Sequence, residues 1–599
     1  MKQLTLKSGV RFVICISLIA LFFACNKTLD PIAPIPNPSG TTPDLTTTVN
    51  SSVSGYVTDQ NETAVLNATV QVGSTTTTTD KYGFFQALNV QVVQNAAVVT
   101  IGKPGYFKTY KTYIAEAGKP TVLRIKLIPK TISGNINGNT GGVITLPNNT
   151  SITYPANALI NAASGVAYTG SASISAYWID PTGADLNRIM PGDLRGLNTQ
   201  GNLQLLTTYG MVAVEMNGSG GELLQIATGK KATLSIPIPF SIAGSAPASI
   251  PLWYFEEAKG LWKQEGVATK TGNNYVGDVS HFSFWNYDAP SNYVQFNCTV
   301  VTANGQPVPY VVVKISVVNN PWNYANGYTN TTGYLNGAVP ANQQLLLEVF
   351  NSSTCGIPVF TQTFTTTNVN VSFGTITVPA AVVTTINGTV LNCANLPVTN
   401  GFIILQIGFS FAKYALSNTG TYSVVQLACN GLNNVTLIGE DVTAAQQSNA
   451  AVYPIMPGLN AIPTFQACGV STTQFFNYVV NGTPVNYSVP PDTINLGGGG
   501  TNNSYSVDAK RSPFSQATVS NISFTTAGIA VGSVQNLLSF SMPAIPPNST
   551  IGTPIGVNIT ELGSIGQFIA GNFAGTITGP GPTNTPYNIT GNFRVKRTF

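Results

Sequence analysis

The sequence predicts an all-β protein made of serial β-sandwich domains with immunoglobulin-like or prealbumin-like folds. Only 8% of its 599 residues are charged, whereas 43% are hydrophobic, and 58 glycines and 38 prolines interrupt the chain. This composition favours short strands joined by turns over helices. A chain of this length exceeds the size at which one hydrophobic core keeps growing, so several domains are expected.

The N-terminus predicts export and lipid anchoring. In residues 1–24, basic residues precede an apolar run that is too short to span a bilayer, as in a secretory signal peptide. The sequence FFAC at 22–25 resembles the cleavage site of bacterial lipoproteins, and this resemblance implies that Cys25 is lipidated and anchors the chain in the membrane. Asn26 then favours the outer membrane, with exposure at the cell surface. Residues 25–50 form a Pro/Thr-rich tether.

Charge argues against one class of partner. Removing residues 1–24, which carry three basic and no acidic residues, leaves a formal charge of +1. Nucleic acids require clustered Lys and Arg to displace their counterions. We therefore predict no nucleic-acid partner.

A loose pattern of strand, polar turn, strand and Gly-containing turn occurs three times. The glycines of the second turn, Gly83, Gly333 and Gly420, fit positions that require a positive φ. The copies are GYVTDQNETAVLNATVQV with TDKYGFF, CTVVTANGQPVPYVVVKISV with TNTTGYL, and GTVLNCANLPVTNGFIILQI with SNTGTYS.

The first copy carries a family resemblance. TDKYGFF, followed by KPGYFKTY and LRIKLIPK, resembles the carboxypeptidase regulatory-like domain, a prealbumin-like β-sandwich common in Bacteroidetes-type surface proteins. The resemblance covers residues 51–130 and implies a non-catalytic module without a zinc site. The same pattern assigns residues 291–378 and 379–469 as regulatory-like repeats.

Two further units complete the chain. Residues 131–290 contain TYPANALI, YGMVAVEM and SHFSFWN, blocks that resemble bacterial extracellular β-sandwich proteins and, more distantly, cartilage intermediate layer proteins, FAM171-type proteins and the ZU5 module. That resemblance implies no catalysis. Residues 470–599 form a C-terminal β domain, in which the Gly-Asn-Phe of IAGNFAGTI and ITGNFRVKR predicts neighbouring antiparallel strands.

Catalytic candidates are few. His281 is the single histidine, and strand alternation places it on one face with Val279 and Ser283. Without a second base or a nucleophile we interpret it as structural. Glu256 and Glu257 point to opposite faces of a strand or are solvated at a turn, so they do not frame a scissile bond. We predict a non-enzymatic protein with no catalytic residue and no cofactor.

Two groups of residues resemble ligand-binding sites, but each also has a purely structural interpretation. Asp180, Asp185 and Asp193 supply oxygen ligands of the kind that Ca²⁺ prefers, but turn-forming aspartates are the expected interpretation, and we predict no metal. An aromatic group formed by Trp253, Tyr254, Phe255 and Trp262 suggests a sugar-stacking platform. Because strand neighbours point to opposite faces, we expect most of these rings in the core.

Five cysteines follow Cys25, and export to an oxidising compartment makes them disulfide candidates: Cys298, Cys355, Cys393, Cys429 and Cys468. Cys298 and Cys355 are the natural pair within residues 291–378. The other three leave one thiol over, and the sequence does not choose the pair.

The favoured function is a non-enzymatic surface lipoprotein for adhesion, envelope scaffolding or capture of a large ligand. The alternative is an accessory glycan-binding protein of a polysaccharide uptake system, which reads its ligand with the C-terminal domain. The partner is a polysaccharide or a surface protein, and the ligand-binding residues are unknown. Exposed coplanar aromatic rings in the C-terminal domain would favour the alternative, and buried ones would count against it.

Overall fold

The computed structural model describes residues 42–350, 356–407, 410–427, 434–489, 492–498, 504–511, 519–563, 568–581 and 584–597. The signal segment, Cys25 and most of the tether lie outside these residues. The described strands form eight sheets, which confirms the predicted all-β class of serial β-sandwiches. None of the helices in the described part is long and apolar enough to span a membrane.

The first domain is a sandwich of a three-stranded sheet, in the order β4-β1-β7, and a four-stranded sheet, in the order β3-β2-β5-β6. Val57 and Val70 are fully buried between the two sheets. The strands are β1 (Thr48–Thr58), β2 (Thr69–Val72), β3 (Thr75–Thr78), β4 (Phe84–Val93), β5 (Ala97–Gly102), β6 (Thr109–Tyr113) and β7 (Thr121–Lys126).

The second domain contains a thirteen-stranded set of paired strands around one large core. One short helix, α1 (Leu186–Ile189), and a 3-10 helix (Phe240–Ser245) interrupt the strands. The strands are β8 (Ile132–Asn137), β9 (Gly142–Thr145), β10 (Ser151–Tyr154), β11 (Leu159–Asn161), β12 (Ser171–Ile179), β13 (Arg195–Leu197), β14 (Leu203–Asn217), β15 (Leu223–Ile226), β16 (Ala232–Pro237), β17 (Ser249–Glu256), β18 (Leu261–Thr271), β19 (Asn274–Val279) and β20 (Phe284–Ser291).

The third and fourth domains are joined by a 3-10 helix (Ala380–Val382). The third contains β21 (Tyr293–Thr302), β22 (Val312–Val317), β23 (Asn320–Tyr328), β24 (Tyr334–Pro340), β25 (Gln344–Phe350), β26 (Pro358–Thr365) and β27 (Val371–Val378). The fourth contains β28 (Val383–Leu391), β29 (Gly401–Ile407), β30 (Ser410–Ala415), β31 (Thr421–Leu427), β32 (Asn434–Asp441), β33 (Gln446–Gln447), β34 (Ala451–Pro454), β35 (Gly458–Ala461), β36 (Phe465–Gln466) and β37 (Val470–Ser471).

The first, third and fourth domains share one topology. In each, the first strand lies at the centre of a small sheet, antiparallel to the fourth strand and parallel to a strand near the end of the domain, as in the pairs β1/β7, β21/β27 and β28/β35. The other sheet has the equivalent orders β3-β2-β5-β6, β23-β22-β25-β26 and β30-β29-β32-β34. The three domains that carry the repeated sequence pattern therefore share one strand order.

The three domains also share the geometry of the turn that contains the glycine. Gly83, Gly333 and Gly420 have φ values of 70°, 74° and 72°, as predicted, and the carbonyl of each accepts a hydrogen bond from the first strand of its domain, at Val57, Val300 and Val390. A Cβ atom on Gly333 would lie 2.3 Å from the carbonyl oxygen of Val300. Both the backbone conformation and the close approach require glycine here.

We expect Gly333→Ala to destabilise the third domain by at least about 2 kcal/mol more than Gly305→Ala. Gly305 has the same φ of +74°, but its added Cβ would meet no atom within 4 Å, so it isolates the cost of the backbone conformation. Native-state hydrogen exchange of the β21 and β24 peptides measures the difference. Equal costs at the two positions would show that the contact with Val300 is unimportant.

The C-terminal domain is one nine-stranded antiparallel sheet in the order β39-β38-β46-β45-β44-β43-β42-β41-β40. Its edge strands β39 and β40 contact each other, and its core is rich in aromatic rings. The strands are β38 (Gln474–Val480), β39 (Thr483–Val489), β40 (Thr493–Gly498), β41 (Ser504–Lys510), β42 (Val519–Thr525), β43 (Val534–Ser541), β44 (Gly556–Leu562), β45 (Phe568–Thr578) and β46 (Pro586–Lys596). Asn572 of β45 lies opposite Asn592 of β46, which confirms the predicted antiparallel pair.

The first domain packs against each of the next three domains. Phe107 and Tyr110 share an apolar cluster with Trp253 and Trp262 of the second domain. Asn330 of the third domain donates a hydrogen bond to the carbonyl of Pro120. The fourth domain contacts the first through a buried lysine, Lys413, which forms ion pairs with Asp80 of the first domain and with Glu440. The first domain is therefore the hub of a compact body.

Candidate functional site: a cleft between three domains

The first three domains enclose a cleft of about 250 Å³, which we call the central cleft. The first domain contributes β6, β7 and the loop between them, the second contributes α1 and the residues that follow it, and the third contributes β23 and β24. The contributions of the three domains are separated from one another by long stretches of sequence. The cleft therefore exists only because the domains pack together.

Lys111 of β6 forms the wall towards the second domain. Only 4% of the residue is exposed, and its Nζ donates to the carbonyl oxygens of Asn187 at 2.8 Å and Met190 at 2.6 Å. Burial lowers the pKa of Lys111 to about 7, because the charged form loses its hydration. The side-chain amide nitrogen of Asn187 is also buried, and no described residue accepts a hydrogen bond from it.

Arg124 of β7 lies where the first, third and fourth domains meet. Its guanidinium carbon is 4.1 Å from the ring centroid of Tyr56 and 5.9 Å from that of Tyr328, distances typical of cation–π contacts. One guanidinium nitrogen donates to the carbonyl of Phe411 at 3.4 Å. Among the described residues, neither Arg124 nor Lys111 forms a salt bridge with a carboxylate.

Other charges of the cleft are paired. Arg188 binds Glu62 at 2.7 Å, and Lys119 binds Glu116 at 2.7 Å. Glu116 also accepts hydrogen bonds from the Tyr334 hydroxyl and the Asn336 amide of the third domain. Burial acts in the opposite direction, but these three donors lower the pKa of Glu116. The site thus offers a guanidinium without a carboxylate partner and a buried amide donor beside tyrosine rings, an arrangement suited to binding.

His281 lies outside the cleft, between β19 and β20. The predicted strand alternation through it is wrong, because the chain leaves β19 at Val279 and both Val279 and Phe282 are buried. Its ring packs edge-on against Tyr254 with centroids 4.6 Å apart, and its Nε2 is 3.8 Å from Glu265. Burial lowers the pKa of His281. These contacts favour a structural role.

Asp288 is a buried acid that sequence reasoning missed. It is fully buried on β20, where one carboxylate oxygen accepts a hydrogen bond from the amide of Asn286, whose own oxygen accepts one from Thr208. Burial raises the pKa of Asp288 well above its ordinary value. The acid is therefore neutral in the folded protein at pH values where it is ionised in the unfolded chain.

We expect Asp288→Asn to remove a pH dependence of stability. The raised folded-state pKa means that the unfolded chain binds fewer protons above about pH 4, so the wild-type protein loses up to about 1.4 kcal/mol per pH unit until the folded-state pKa is reached. The variant keeps the shape without this loss, so it should be the more stable protein at pH 8. Urea unfolding at pH 5 and pH 8, followed by tryptophan fluorescence, reports on the second domain because four of the five tryptophans lie there. Parallel pH profiles for the two proteins would contradict the assignment.

The three aspartates weighed as Ca²⁺ ligands and interpreted as turn-forming residues have protein partners. Asp180 accepts hydrogen bonds from the backbone and hydroxyl of Thr182, as expected for a turn. Asp185 is instead ion-paired with Lys126 and Arg188, and Asp193 is ion-paired with Arg195 at 2.6 Å. Their carboxylates join domains and fix a loop.

The proposed aromatic platform is mostly core, as predicted: Trp253, Phe255 and Trp262 are at most 1% exposed, and only Tyr254 is half-buried. The two adjacent glutamates that were weighed as a catalytic pair, Glu256 and Glu257, form separate surface contacts. Glu256 pairs with Lys259 at 3.2 Å, and Glu257 lies 4.0 Å from Lys108.

The described residues include three of the five candidate cysteines. Cys393 and Cys468 form a disulfide, which selects one of the pairs that the sequence left open. The predicted pair Cys298–Cys355 is wrong because Cys298 is a free, buried thiol; it points into the core of the third domain between Phe296 and Val300. Burial raises the pKa of Cys298 to about 12. Cys355 and Cys429 lie outside the described residues.

The described residues of the C-terminal domain do not present the aromatic surface that a glycan reader would use. Within its described residues, Phe475, Phe540 and Tyr587 are half-buried and the remaining aromatic side chains are buried. The rings of Phe476, Tyr478 and Tyr487 pack on one another inside the core. By the criterion set from the sequence, this burial counts against the glycan-reading alternative.

Of the residues that line the cleft, the sequence motifs singled out only Asp193, as a turn-forming aspartate. Lys111, Glu116 and Arg124 lie in ordinary strand and turn contexts, and none belongs to a chemical motif. The unusual burial of Lys111 is visible only once α1 of the second domain covers it.

Comparisons with known proteins give partial similarities. No family model matches the chain. Cartilage intermediate layer protein 2 of Mus musculus is 29% identical over 109 residues, which cover 18% of this chain and 9% of that protein. It belongs to one of the families that the blocks of residues 131–290 resemble.

Solved structures align with parts of the chain. The shaft pilin SpaA from Lactobacillus rhamnosus GG aligns over 29% of this chain and 96% of its own, with 11% identity and a TM-score of 0.17. A streptococcal ancillary pilin aligns over 39% of this chain and 99% of its own, with 8% identity and a TM-score of 0.14. The Bacillus anthracis TIE protein aligns over 54% of this chain and 68% of its own, with 10% identity and a TM-score of 0.15.

Proposed function

We propose that the protein is a non-enzymatic surface lipoprotein for adhesion, envelope scaffolding or capture of a large ligand, anchored in the outer membrane through Cys25. The observation that carries the proposal is the hub arrangement of the first domain. Buried ion pairs, hydrogen bonds and apolar contacts hold the second, third and fourth domains against it. Such a body presents fixed surfaces and clefts to a partner, which suits binding and mechanical support.

The use of charged side chains supports the same role. Asp185 and Arg188 of the second domain engage Lys126 and Glu62 of the first. Glu116 is occupied by hydrogen bonds to the third domain. These acidic residues therefore join domains, and the domain interfaces account for their placement.

Cell fractionation tests the anchor. The full-length chain and a Cys25→Ala variant are expressed in a bacterium that processes lipoproteins, with labelled palmitate in the medium. We expect label and outer-membrane recovery for the parent chain only, and protease added to whole cells should digest it. Unlabelled parent protein in the soluble fraction would refute the anchor.

Binding assays test the role. Residues 26–599 are immobilised on beads and offered to host cells, bacterial cells and a panel of plant, host and bacterial polysaccharides, with beads carrying unrelated protein as the control. We expect retention of cells or of one ligand class without chemical change in the ligand. Turnover of any panel member that His281→Ala abolishes would refute the non-enzymatic role.

A further inference from the structure

The central cleft is bordered by the edges of strands rather than by their faces. Residues 323–328 of β23 and 334–340 of β24 all line it, without the alternation expected for a sheet face. The same holds for residues 121–124 of β7. Since side chains alternate between the two faces of a strand, an unbroken run of lining residues means that the backbone edge faces the cleft.

Sheet order supports this interpretation. β7 and β24 are edge strands of the three-stranded sheets of their domains, and β6 and β23 are edge strands of the four-stranded sheets. The first and third domains therefore meet edge to edge across the cleft. Among the described residues, β7, β23 and β24 form no backbone hydrogen bond to a strand of another domain. An edge strand carries a row of unpaired N–H and C=O groups that can accept another strand.

The cleft also reaches the apolar interior of the third domain. Its lining includes Phe296, Val313 and Leu345, each at most 2% exposed. β24 covers this interior incompletely, since Leu335 is half-buried and Gly337 carries no side chain. An apolar side chain that entered beside Gly337 would contact the core directly.

The charge of the central cleft favours one type of ligand. Arg124 and Lys111 line the same cleft and lack carboxylate partners among the described residues, whereas Glu116 is saturated by three donors. Because Lys111 donates to two carbonyls and burial lowers its pKa to about 7, the uncompensated positive charge rests on the guanidinium of Arg124. A ligand that brings a carboxylate would supply the missing partner.

We propose that the central cleft binds an extended acidic peptide segment of a partner protein, which adds as a strand to the edge of β24. Its backbone pairs with the edge, alternate apolar side chains enter the gap beside Gly337, and a carboxylate reaches Arg124. Strand addition of this kind takes affinity from main-chain hydrogen bonds and specificity from pockets for alternate side chains. The proposal deepens the proposed binding role and rests on it. An acidic polysaccharide would use the same charge but not the strand edges.

The test uses residues 26–599 and three fluorescein-labelled heptapeptides in anisotropy titrations. The first alternates valine with glutamate, the second replaces glutamate with lysine, and the third is the acidic peptide with N-methylated backbone amides. Polygalacturonate serves as the acidic-polysaccharide probe, and its binding is measured by calorimetry. Buffers of low and physiological salt separate diffuse attraction from a defined contact.

Two glycine variants probe the site without disturbing the fold. A Cβ added at Gly337 meets no atom within 4 Å, and its φ lies outside the left-handed region, so Gly337→Leu should fold and fill the cleft. Gly244 of the 3-10 helix has the same open surroundings and lies outside the cleft lining. Gly244→Leu is therefore the matched control, and Arg124→Gln removes the cation.

We expect the acidic peptide to bind and the lysine peptide to bind at least about tenfold more weakly. N-methylation and Gly337→Leu should each weaken binding of the acidic peptide by about tenfold or more, since they remove the edge hydrogen bonds or the space. Gly244→Leu should bind as the parent does, and Arg124→Gln should lose the preference for glutamate.

Three results would overturn the proposal: no peptide binding, equal binding after N-methylation, or binding that Gly337→Leu leaves unchanged. Binding of polygalacturonate without peptide binding would overturn it in favour of an acidic glycan. None of these results alters the fractionation of the Cys25→Ala variant or the retention of cells on beads. Failure of the peptide site is therefore distinguishable from failure of the proposed surface role.

Discussion

Lys413→Ala should weaken docking of the fourth domain on the first by about 3–5 kcal/mol, the usual cost of leaving buried charges without their partner. The Lys413 side chain is 6% exposed, and its Nζ lies 3.1 Å from Asp80 and 2.6 Å from Glu440. Burial opposes the charged form, but the two carboxylates raise the pKa of Lys413 above its ordinary value. Removal of the ammonium leaves Glu440, whose side chain is 15% exposed, close to the 31% exposed Asp80. Lys81 and Lys596 remain as the neighbouring cations.

Aromatic rings surround the ion pairs of Lys413. The Nζ of Lys413 is 4.7 Å from the ring centroid of Phe402 and 5.3 Å from that of Phe84. The backbone N–H of Lys413 donates to the hydroxyl of Tyr56. Water that entered to solvate the carboxylates would have to separate these rings. Native-state hydrogen exchange of the β30 peptide and of residues 80–85 measures the free energy of opening.

Two controls separate charge from side-chain removal. Lys259→Ala breaks a pair whose lysine side chain is 46% exposed, and it should cost less than about 1 kcal/mol. The combined variant Lys413→Met with Asp80→Asn and Glu440→Gln removes the charges together, and most of the lost stability should return. Asn suits the Asp80 turn, since Asn330 accepts the equivalent backbone hydrogen bonds in the third domain. A combined variant as unstable as Lys413→Ala would refute the charge argument.

Replacing Cys393 and Cys468 with alanine should destabilise the fourth domain by about 4 kcal/mol, because the bridge closes a loop between residues 75 apart in sequence and restricts the unfolded chain. The bridge ties the segment after β36 to the turn that follows β28. β36 pairs with β28 through Phe465 and Gln466 alone, so few other bonds hold this segment. Urea unfolding monitored by hydrogen exchange of the β28 and β35 peptides measures the loss.

Peptide mapping under non-reducing conditions checks the pairing itself. A fragment that joins Cys393 to Cys468 is expected, and a fragment that joins either of them to Cys429 would contradict the pairing. Cys298→Ala is the matched control within a neighbouring repeat. As a buried free thiol, Cys298 closes no loop, so its replacement should cost about 1 kcal/mol.

The sequence by itself determined the local structure of the repeats. Alternating β-branched and polar residues specify strands, and a glycine with positive φ closes the turn before the fourth strand of each copy, at Gly83, Gly333 and Gly420. The pairing of β45 with β46 followed from the repeated Gly-Asn-Phe. These features depend on neighbours along the chain and on a period of two, which one sequence displays directly.

Other local expectations failed where tertiary contacts intervened. His281 interrupts an otherwise alternating segment because the chain leaves β19 at Val279. Cys298 is one of the inward-facing residues of β21, and its thiol is free and packs in the core of the third domain. In both cases the position in the sequence identified the residue as a candidate. It did not define which residues surround that side chain in the fold.

Only the tertiary structure decided how the domains assemble and where a ligand site arises. The burial of Lys111 requires the carbonyls of Asn187 and Met190 from the second domain, and Glu116 finds Tyr334 and Asn336 more than 200 residues away. Charged side chains on a β-sandwich surface look alike in sequence whether water or another domain covers them. Their pairing depends on the relative placement of separate sandwiches, which the short-range periodicity of strands does not encode.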